Sequence, residues 1–140
     1  MKTYSIKEVS TMFDLPSSTL RYYEDLGLLT NVTHNDKNQR EYDESHITRL
    51  TAIQCFKQTG LPLTKIALFF EYEEDIEKHI DEIIDLVSSH EADIIAKIKE
   101  LQDGLLHIQH KVRFYTGIHE AIEKKQPWPR WEDCAKPEDC

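Results

Sequence analysis

Three cysteines are the residues of this sequence whose chemistry is most distinctive. Cys55 lies in the segment AIQCFKQTG, close to the apolar residues Ile53 and Phe56. Its thiolate would attack an electrophile, and a nearby cation such as Lys57 or His46 would favour the thiolate over the thiol. The alternative is a buried cysteine that packs as a small apolar side chain. Cys55 is therefore a candidate effector-sensing residue.

Cys134 and Cys140 are separated by five residues in the segment DCAKPEDC, beside Asp133, Glu138 and Asp139. A thiolate pair with carboxylate neighbours is one way to hold a soft metal ion. This spacing is loose, and three cysteines are an odd number and too few for a disulfide framework. We expect exposed, reduced thiols at these two positions, with no bound metal or cofactor.

No catalytic motif accompanies the cysteines. The sequence has no glycine-rich phosphate loop, no metal-binding histidine pair of the protease type and no nucleophile elbow. His107 and His110 have the i, i+3 spacing of neighbours on a helix. We expect them on the surface of a coiled coil rather than in a zinc site. The chain is not predicted to be an enzyme.

Charged residues are unevenly divided along the chain, whose formal net charge is −9. Residues 1–70 contain 8 Lys and Arg and 8 Asp and Glu, whereas residues 71–140 contain 9 and 18. Attraction to phosphates acts over only about 8–10 Å at physiological ionic strength. The neutral first half can therefore present a local basic face to nucleic acid.

Arg21 lies in the second of two short helices that are predicted to be joined by a tight turn. The first is predicted over residues 5–13, with Ser5 as N-cap and Glu8 as its capping-box partner. The second is predicted over Ser17–Leu26, because Pro16 suits a helix start and Gly27 ends the pattern. Such a pair either packs only within the core or forms a helix-turn-helix that enters the DNA major groove.

The polar segment TNVTHNDKNQREY that follows is predicted to be a β-hairpin with its turn near Asn35 and Asp36. A hairpin after a helix-turn-helix is a wing, and Lys37 and Arg40 would bring positive charge to the phosphate backbone. The alternative is a solvated surface loop. Two more helices are predicted in DESHITRLTAIQCFKQTG, which starts at the N-cap Asp43, and in LTKIALFFEY.

A long apolar repeat begins after these helices. Between Asp75 and Ile122 the apolar residues recur mostly at steps of four and three, as in the seam of a coiled coil. A helix of forty residues reaches about 60 Å, so the seam is expected to pair with a second copy of the chain. Two shorter helices, broken near Ser88 and Ser89 or near Gly104, are the alternative. The proline-rich tail is expected to be irregular, with its two tryptophans docked on the protein.

No segment has the roughly 18 apolar residues of a membrane span, and MKTYSIKEVS lacks the apolar region of a signal peptide. We therefore expect a cytoplasmic protein with no membrane partner.

Four stretches together closely resemble the MerR family of bacterial transcription regulators. They are YSIKEVSTMFDLPSSTLRYYEDLGLL, the REY of the hairpin, YDESHITRL and FKQTGLPLTKI, in the order and spacing of that family's DNA-binding domain. The resemblance covers residues 4 to about 115. The chain departs from the pattern at Asn38 and Gln39, where the family usually has a glycine before the arginine of the wing. Asparagine tolerates the left-handed conformation better than most residues.

The resemblance implies an all-α fold with a small β-hairpin wing. It consists of a winged helix-turn-helix DNA-binding domain at residues 1–70, a coiled-coil dimerisation helix at 71–118 that pairs antiparallel, and a short tail at 119–140. It also implies a homodimer that binds a palindromic operator in double-stranded promoter DNA. Such a dimer activates or represses transcription by distorting the promoter spacer for bacterial RNA polymerase. About twenty residues follow the helix, so we expect no separate drug-binding domain.

Matching positions imply DNA-facing side chains on the second helix, on the wing and on the third helix. They are Ser17, Ser18, Thr19, Arg21, Tyr22, Lys37, Arg40, Tyr42 and Lys57. An internal salt bridge to Glu24 or Asp25 is the alternative for Arg21, and the core is expected to take Leu20, Tyr23 and Leu26. We expect the acidic pair to point away from the phosphates.

Cys55 matches the cysteine of the thiol-based, aldehyde- and electrophile-responsive subgroup of this family, and HKVRFYTGIHEAI resembles that subgroup too. A stress response through Cys55 is the function that this implies. Two alternatives stay open. One is a metal-responsive regulator that uses Cys134 and Cys140, and the other is a coiled-coil adaptor that does not bind DNA.

Overall fold

The computed structural model describes residues 2–139 of the chain, which is mostly helical with a small antiparallel sheet. The strands and helices are, in chain order, β1 (Tyr4–Ser5), α1 (Ile6–Phe13), α2 (Ser17–Asp25), β2 (Thr33–His34), β3 (Arg40–Tyr42), α3 (Glu44–Gln58), α4 (Leu63–Glu73) and α5 (Ile76–Lys124). Two 3₁₀ turns follow at Trp131–Cys134 and Pro137–Asp139. The chain divides after His90 into two compact units, called here the N-terminal and the C-terminal unit.

Helix α1 begins with the predicted capping box. The Ser5 hydroxyl accepts from the Glu8 amide at 3.1 Å, and the Glu8 carboxylate accepts from the Ser5 amide at 3.0 Å. The two bonds satisfy amides that have no partner within the helix. The helix ends at Asp14, whose φ of 51° is left-handed. The predicted first helix is confirmed.

Helix α2 is held by two buried side chains, Leu20 and Tyr23. It ends one residue earlier than predicted, because Leu26 is its C-cap and Gly27 turns the chain with a φ of 79°. Leu26 is 43% exposed, so its predicted place in the core is wrong. The core position is filled instead by residues after the turn, Leu28 and Leu29, which are buried.

The sheet has the strand order β1-β3-β2, and both strand pairs are antiparallel. Pairing of β2 with β3 confirms the predicted hairpin, with Thr33 opposite Glu41. Strand β1 was not predicted. It places Tyr4 opposite Tyr42, and the Tyr4 hydroxyl bonds to the carboxylate of Glu44. This bond connects the start of the chain to the first turn of α3.

Helices α3 and α4 complete the core of the N-terminal unit. Asp43 caps α3 by accepting from the Ser45 amide at 2.9 Å, as the sequence predicted, and Gly60 follows the helix with a φ of 91°. Pro62 precedes α4. The buried core consists of Val9, Leu20, Tyr23, Leu28, Leu29, Tyr42, Leu50, Ile53, Leu61, Ile66 and Phe70.

Helix α5 runs through both places where the sequence allowed a break, Ser88–Ser89 and Gly104, so the alternative of two shorter helices is wrong. Its one non-helical residue is His79, with a φ of −114°. Within residues 91–139, the buried side chains are Ala121 and Cys134. Among residues 2–139, no helix combines the length and apolarity that crossing a membrane requires.

The tail is not simply irregular, because Trp131 docks on α5. The indole stacks on the imidazole of His110 with ring centroids 3.5 Å apart, and Phe114 meets it edge-on at 5.3 Å. Arg113 donates from Nε to the Cys134 carbonyl at 2.9 Å. Docking is therefore confirmed for Trp131, whereas Trp128 is 62% exposed.

Candidate nucleic-acid interface

The exposed face of α2 contains the side chains that the sequence assigned to DNA. Ser18, Arg21 and Tyr22 are exposed, while Ser17 and Thr19 are half-buried in the first turn. Pro16 at the N-cap provides no side-chain hydrogen bond. The first amides of a helix and the positive end of its dipole favour contact with a phosphate, and no capping side chain occupies that position here.

The buried side of α2 fixes this face in place. The Lys57 Nζ, from the last turn of α3, donates to the Tyr23 hydroxyl at 2.9 Å and lies 5.5 Å from the centroid of that ring. An ammonium group has three N–H donors, so two stay available for another acceptor. Lys57 is exposed overall. The contact joins one candidate DNA-binding cation directly to the core side of α2.

The turn of the wing is organised by one side chain, that of Asn35. Its Oδ1 accepts from the Lys37 amide at 2.9 Å and from the Gln39 amide at 3.0 Å. Asn38 has a φ of 60°, the left-handed conformation in which glycine is most favourable and asparagine is tolerated. Asn38 thus adopts the left-handed conformation at the place where the family usually has a glycine. The neighbouring Lys37 is exposed.

Arg40 is not a free cation of the wing. Its Nε donates to the Glu24 carboxylate of α2 at 2.8 Å, and both side chains are about three-quarters buried, with 29% and 25% exposure. This hydrogen bond raises the pKa of the Arg40 guanidinium above its ordinary value. An internal salt bridge to Glu24 or Asp25 was the alternative to DNA contact for Arg21. The structure pairs Glu24 with Arg40 instead and leaves Arg21 on the exposed face.

Tyr42 requires a correction, because the sequence placed it on the DNA-facing surface. Its side chain is fully buried, and the imidazole of His46 meets its ring at 5.6 Å. The hydroxyl is buried without a hydrogen-bond partner among the described residues, and burial raises its pKa. Side chains alternate between the two faces of a strand. On β3, which is paired on both edges, Tyr42 lies on the face that is turned toward the core. Tyr42 positions the wing and does not contact DNA in this conformation.

The Cys55 thiol is free and exposed, so the alternative of a buried packing residue is wrong. The two cations that the sequence placed near it have other partners. Lys57 donates to Tyr23, and His46 is a core residue that accepts from the Asp43 amide at Nδ1 and lies 2.7 Å from the Thr30 carbonyl at Nε2. Each of the two residues therefore has a partner other than the thiol.

Cys134 also requires a correction. It is fully buried and disulfide-bonded, which contradicts the expected exposed and reduced thiol. Docking of Trp131 carries this segment onto the helix and takes Cys134 out of solvent. Cys140 lies outside the described residues. Within residues 2–139, no group of three or more His, Cys, Asp or Glu side chains is arranged to hold a metal ion. An oxidised Cys134 is no thiolate ligand, so nothing here favours the metal-responsive alternative.

Sequence reasoning missed two features of the interface. One is strand β1, whose two residues are too short to show an alternating pattern. The other is the ion pair between Glu24 and Arg40, which joins residues sixteen positions apart. The opposite charges of these residues were visible in the sequence, but only the packing of the wing against α2 brings them together.

A helix-turn-helix with an exposed second helix, a wing beside it and cations on both defines a DNA-binding domain. The family model described as "MerR HTH family regulatory protein" matches residues 4–73, and the chain belongs to this family.

Relatives agree with that assignment. An uncharacterised HTH-type transcriptional regulator of Haemophilus influenzae is 28% identical over 113 residues, which cover 81% of this chain and 84% of the relative. The HTH-type transcriptional regulator AdhR of Bacillus subtilis is 35% identical over 77 residues, covering 52% and 55%. Among solved structures, HiNmlR is described as a MerR family regulator lacking the sensor domain, bound to promoter DNA. It is similar with a TM-score of 0.79 and 25% identity, covering 98% of both chains.

Proposed function

We propose that this transcription regulator binds a palindromic promoter operator as a homodimer and changes transcription by distorting the spacer for RNA polymerase. The observation that carries the proposal is the exposed face of α2. Arg21 and Tyr22 point outward there, while Leu20 and Tyr23 anchor the helix in the core. The same unit carries Lys37 and Lys57 as further exposed cations. Similarity to a relative described as bound to promoter DNA supports this choice of ligand.

The second half of α5 supports a homodimer. Its seam has steps of four and three, and six of the seven side chains are exposed: Ile98, Leu101, Leu105, Ile108, Val112 and Tyr115, with Ile94 half-buried. Such a row of apolar side chains is unfavourable in water and is covered when two helices pair. A second copy brings a second α2, and two related helices match two operator half-sites.

Distortion of the promoter needs strong contacts from both subunits. Bending a site of this size costs on the order of 1–6 kcal/mol, which contacts with the phosphates of each half-site must offset. Arg21, Lys37 and Lys57 are the proposed phosphate contacts in each subunit. Arg40 contributes by holding the wing on α2 through Glu24.

A footprint on the DNA upstream of the protein's own gene tests this proposal. We expect a protected site with two symmetric halves, and Arg21→Ala should weaken protection at least tenfold, because one good contact is worth about 1–3 kcal/mol. Lys99→Ala is the matched control, since Lys99 is an exposed cation of the coiled-coil region. Equal protection by both variants, or protection without symmetry, would contradict the proposal.

We further propose that Cys55 senses electrophiles. The thiolate adds to the carbon of an aldehyde or of an activated alkene and forms an S–C bond. The π electron pair of the acceptor takes up the proton that the thiol released, so nothing is oxidised or reduced. The exposed, free thiol supports this reaction. A stress response to such electrophiles is the function that follows.

Transcription in vitro from the protected promoter tests the sensor. N-ethylmaleimide or crotonaldehyde should change transcription with the wild-type protein and leave it unchanged with Cys55→Ser. The variant should bind the operator as the wild type does, because an exposed cysteine contributes little to packing. A response that survives in Cys55→Ser would show that the thiol is not the sensor.

A further inference from the structure

His90 is an unusual residue in helix α5. Its side chain is 8% exposed, whereas most side chains of α5 are exposed. It lies where the sequence interrupts the apolar seam, between Val87 and Ile94. A buried polar group is unfavourable unless it has a hydrogen-bond partner. For His90 that partner is Thr59, the C-cap residue of α3, because His90 Nε2 lies 2.7 Å from the Thr59 hydroxyl oxygen.

The protons of this contact can be assigned from the surrounding acceptors. The Thr59 hydroxyl has one proton and lies 2.8 Å from the Cys55 carbonyl and 3.2 Å from the Phe56 carbonyl. Both carbonyl oxygens can only accept, so the hydroxyl donates to them and accepts from the Nε2–H of His90. A chain of hydrogen bonds therefore runs from His90 through Thr59 to the peptide group of Cys55.

A second contact joins the same elements. The His90 ring lies 6.1 Å from the ring of Phe56, the residue after Cys55, and Phe56 packs edge-on against Phe69 of α4 at 5.0 Å. Cys55 and Thr59 are four residues apart, so they are neighbours on one face of the helix. A group attached to the Cys55 sulfur would therefore lie next to the Thr59 side chain. The Thr59 amide also donates to the Cys55 carbonyl, at 3.1 Å.

We propose that the hydrogen bond between His90 and Thr59 transmits modification of Cys55 to helix α5, which makes His90 a positioning residue of the sensor. This inference rests on the proposed sensing role of Cys55. An adduct at the thiol displaces Thr59, Thr59 releases His90, and α5 loses the polar contact that fixes it on α3. Because α5 also carries the proposed dimer seam, the change reaches the element that sets the separation of the two DNA-binding helices.

Two variants remove this contact, Thr59→Val with little change in shape and His90→Leu, whose apolar side chain has no N–H to donate to Thr59. Thr51→Val is the matched control, because Thr51 is also four residues from Cys55 and its hydroxyl bonds to the Ile47 carbonyl at 2.9 Å. Each protein is treated with N-ethylmaleimide, and the adduct is located at Cys55 by peptide mapping. Operator binding and transcription from the protected promoter are then measured before and after treatment.

We expect all three variants to be alkylated and to bind the operator within about threefold of the wild type. Thr59→Val and His90→Leu should lose at least nine-tenths of the change in transcription, whereas Thr51→Val should respond as the wild type does. A full response in Thr59→Val and His90→Leu would overturn the inference.

The imidazole ¹⁵N resonances separate failure of this inference from failure of the sensor. Alkylation of Cys55 in the full-length protein should shift the His90 Nε2 signal, which His90→Leu identifies by its absence. If the signal moves but transcription does not change, the sensing role is wrong while the connection is supported. If alkylation leaves the signal unmoved, the connection is wrong whatever transcription does.

Discussion

The two units of the chain use their apolar residues in opposite ways. The N-terminal unit buries a core of eleven side chains drawn from its four shorter helices, from the sheet and from the segments that connect them. The C-terminal unit buries Ala121 and Cys134 among its described residues and leaves a row of leucines and isoleucines in water. The N-terminal core is buried within one chain, whereas the seam of the C-terminal unit is exposed there and is the surface proposed to pair with a second copy. The stability of the N-terminal unit should therefore depend on its own packing. The stability of the C-terminal unit should depend on protein concentration.

Leucine to alanine substitutions in α2 test the first half of this comparison, and we expect the largest effect there. Leu20 is fully buried, so Leu20→Ala should lower the free energy of unfolding by about 2–5 kcal/mol, measured by urea denaturation. Leu26→Ala is the control from the C-cap of the same helix, because Leu26 is 43% exposed. Similar losses in both variants would mean that α2 is not anchored by its buried side.

A charge in the seam tests the second half. Leu101 is 73% exposed in the single chain, so Leu101→Asp should leave the fold of the monomer intact. In the dimer the substitution would bury an unpaired carboxylate. The dissociation constant of the dimer should therefore rise at least about thirtyfold, which corresponds to about 2 kcal/mol. Sedimentation equilibrium measures this change. Gln102→Asp is the control, because it adds the same charge beside the seam and should have little effect. Equal dissociation constants for Leu101→Asp and Gln102→Asp would exclude the seam as the interface.

Tryptophan substitutions test how firmly the tail is held. Trp131→Ala removes the stack on His110 and the edge contact with Phe114, which should cost about 0.5–1.5 kcal/mol and expose the tail to proteases. Limited proteolysis followed by mass spectrometry detects the change. Trp128→Ala is the comparison, since that side chain is mostly exposed. Equal cleavage of the two variants would argue against docking through Trp131.

The smallest effect is expected for the ion pair of the wing. Glu24→Gln removes the charge that binds Arg40, and the free energy of unfolding should fall by less than about 1 kcal/mol because both groups keep contact with solvent. Asp25→Asn controls for the loss of one negative charge on α2. Thermal unfolding measures both variants. A loss above about 2 kcal/mol in Glu24→Gln would mean that this pair, and not the core, holds the wing.

Much of this arrangement could be predicted from the sequence, because helix caps and apolar spacing are local signals. Ser5 and Asp43 marked the starts of α1 and α3, Gly60 marked the end of α3, and the seam of α5 followed from steps of four and three. The errors arose where contacts are distant in sequence. Tyr42 looked like a surface residue because strand β1, which pairs with β3 opposite Tyr42, has only two residues and leaves no pattern in the sequence.

The same reasoning explains the other differences at the candidate site. Leu26 follows the spacing of Leu20 and Tyr23, but the helix ends before it. His90 looked like an interruption of the seam until its partner Thr59 was visible across the fold. Cys134 looked exposed because the expected docking of the tryptophans did not specify that Trp131 would bring the segment of Cys134 onto α5.

Salt dependence of operator binding tests the central claim, DNA recognition by the N-terminal unit, most directly. With Arg21, Lys37 and Lys57 on phosphates in both subunits, six contacts are expected. The logarithm of the affinity should then fall with the logarithm of the salt concentration with a slope of roughly −5. Arg21→Ala should make the slope shallower by about 2, one for each subunit. A slope near zero, or one that Arg21→Ala leaves unchanged, would contradict the account.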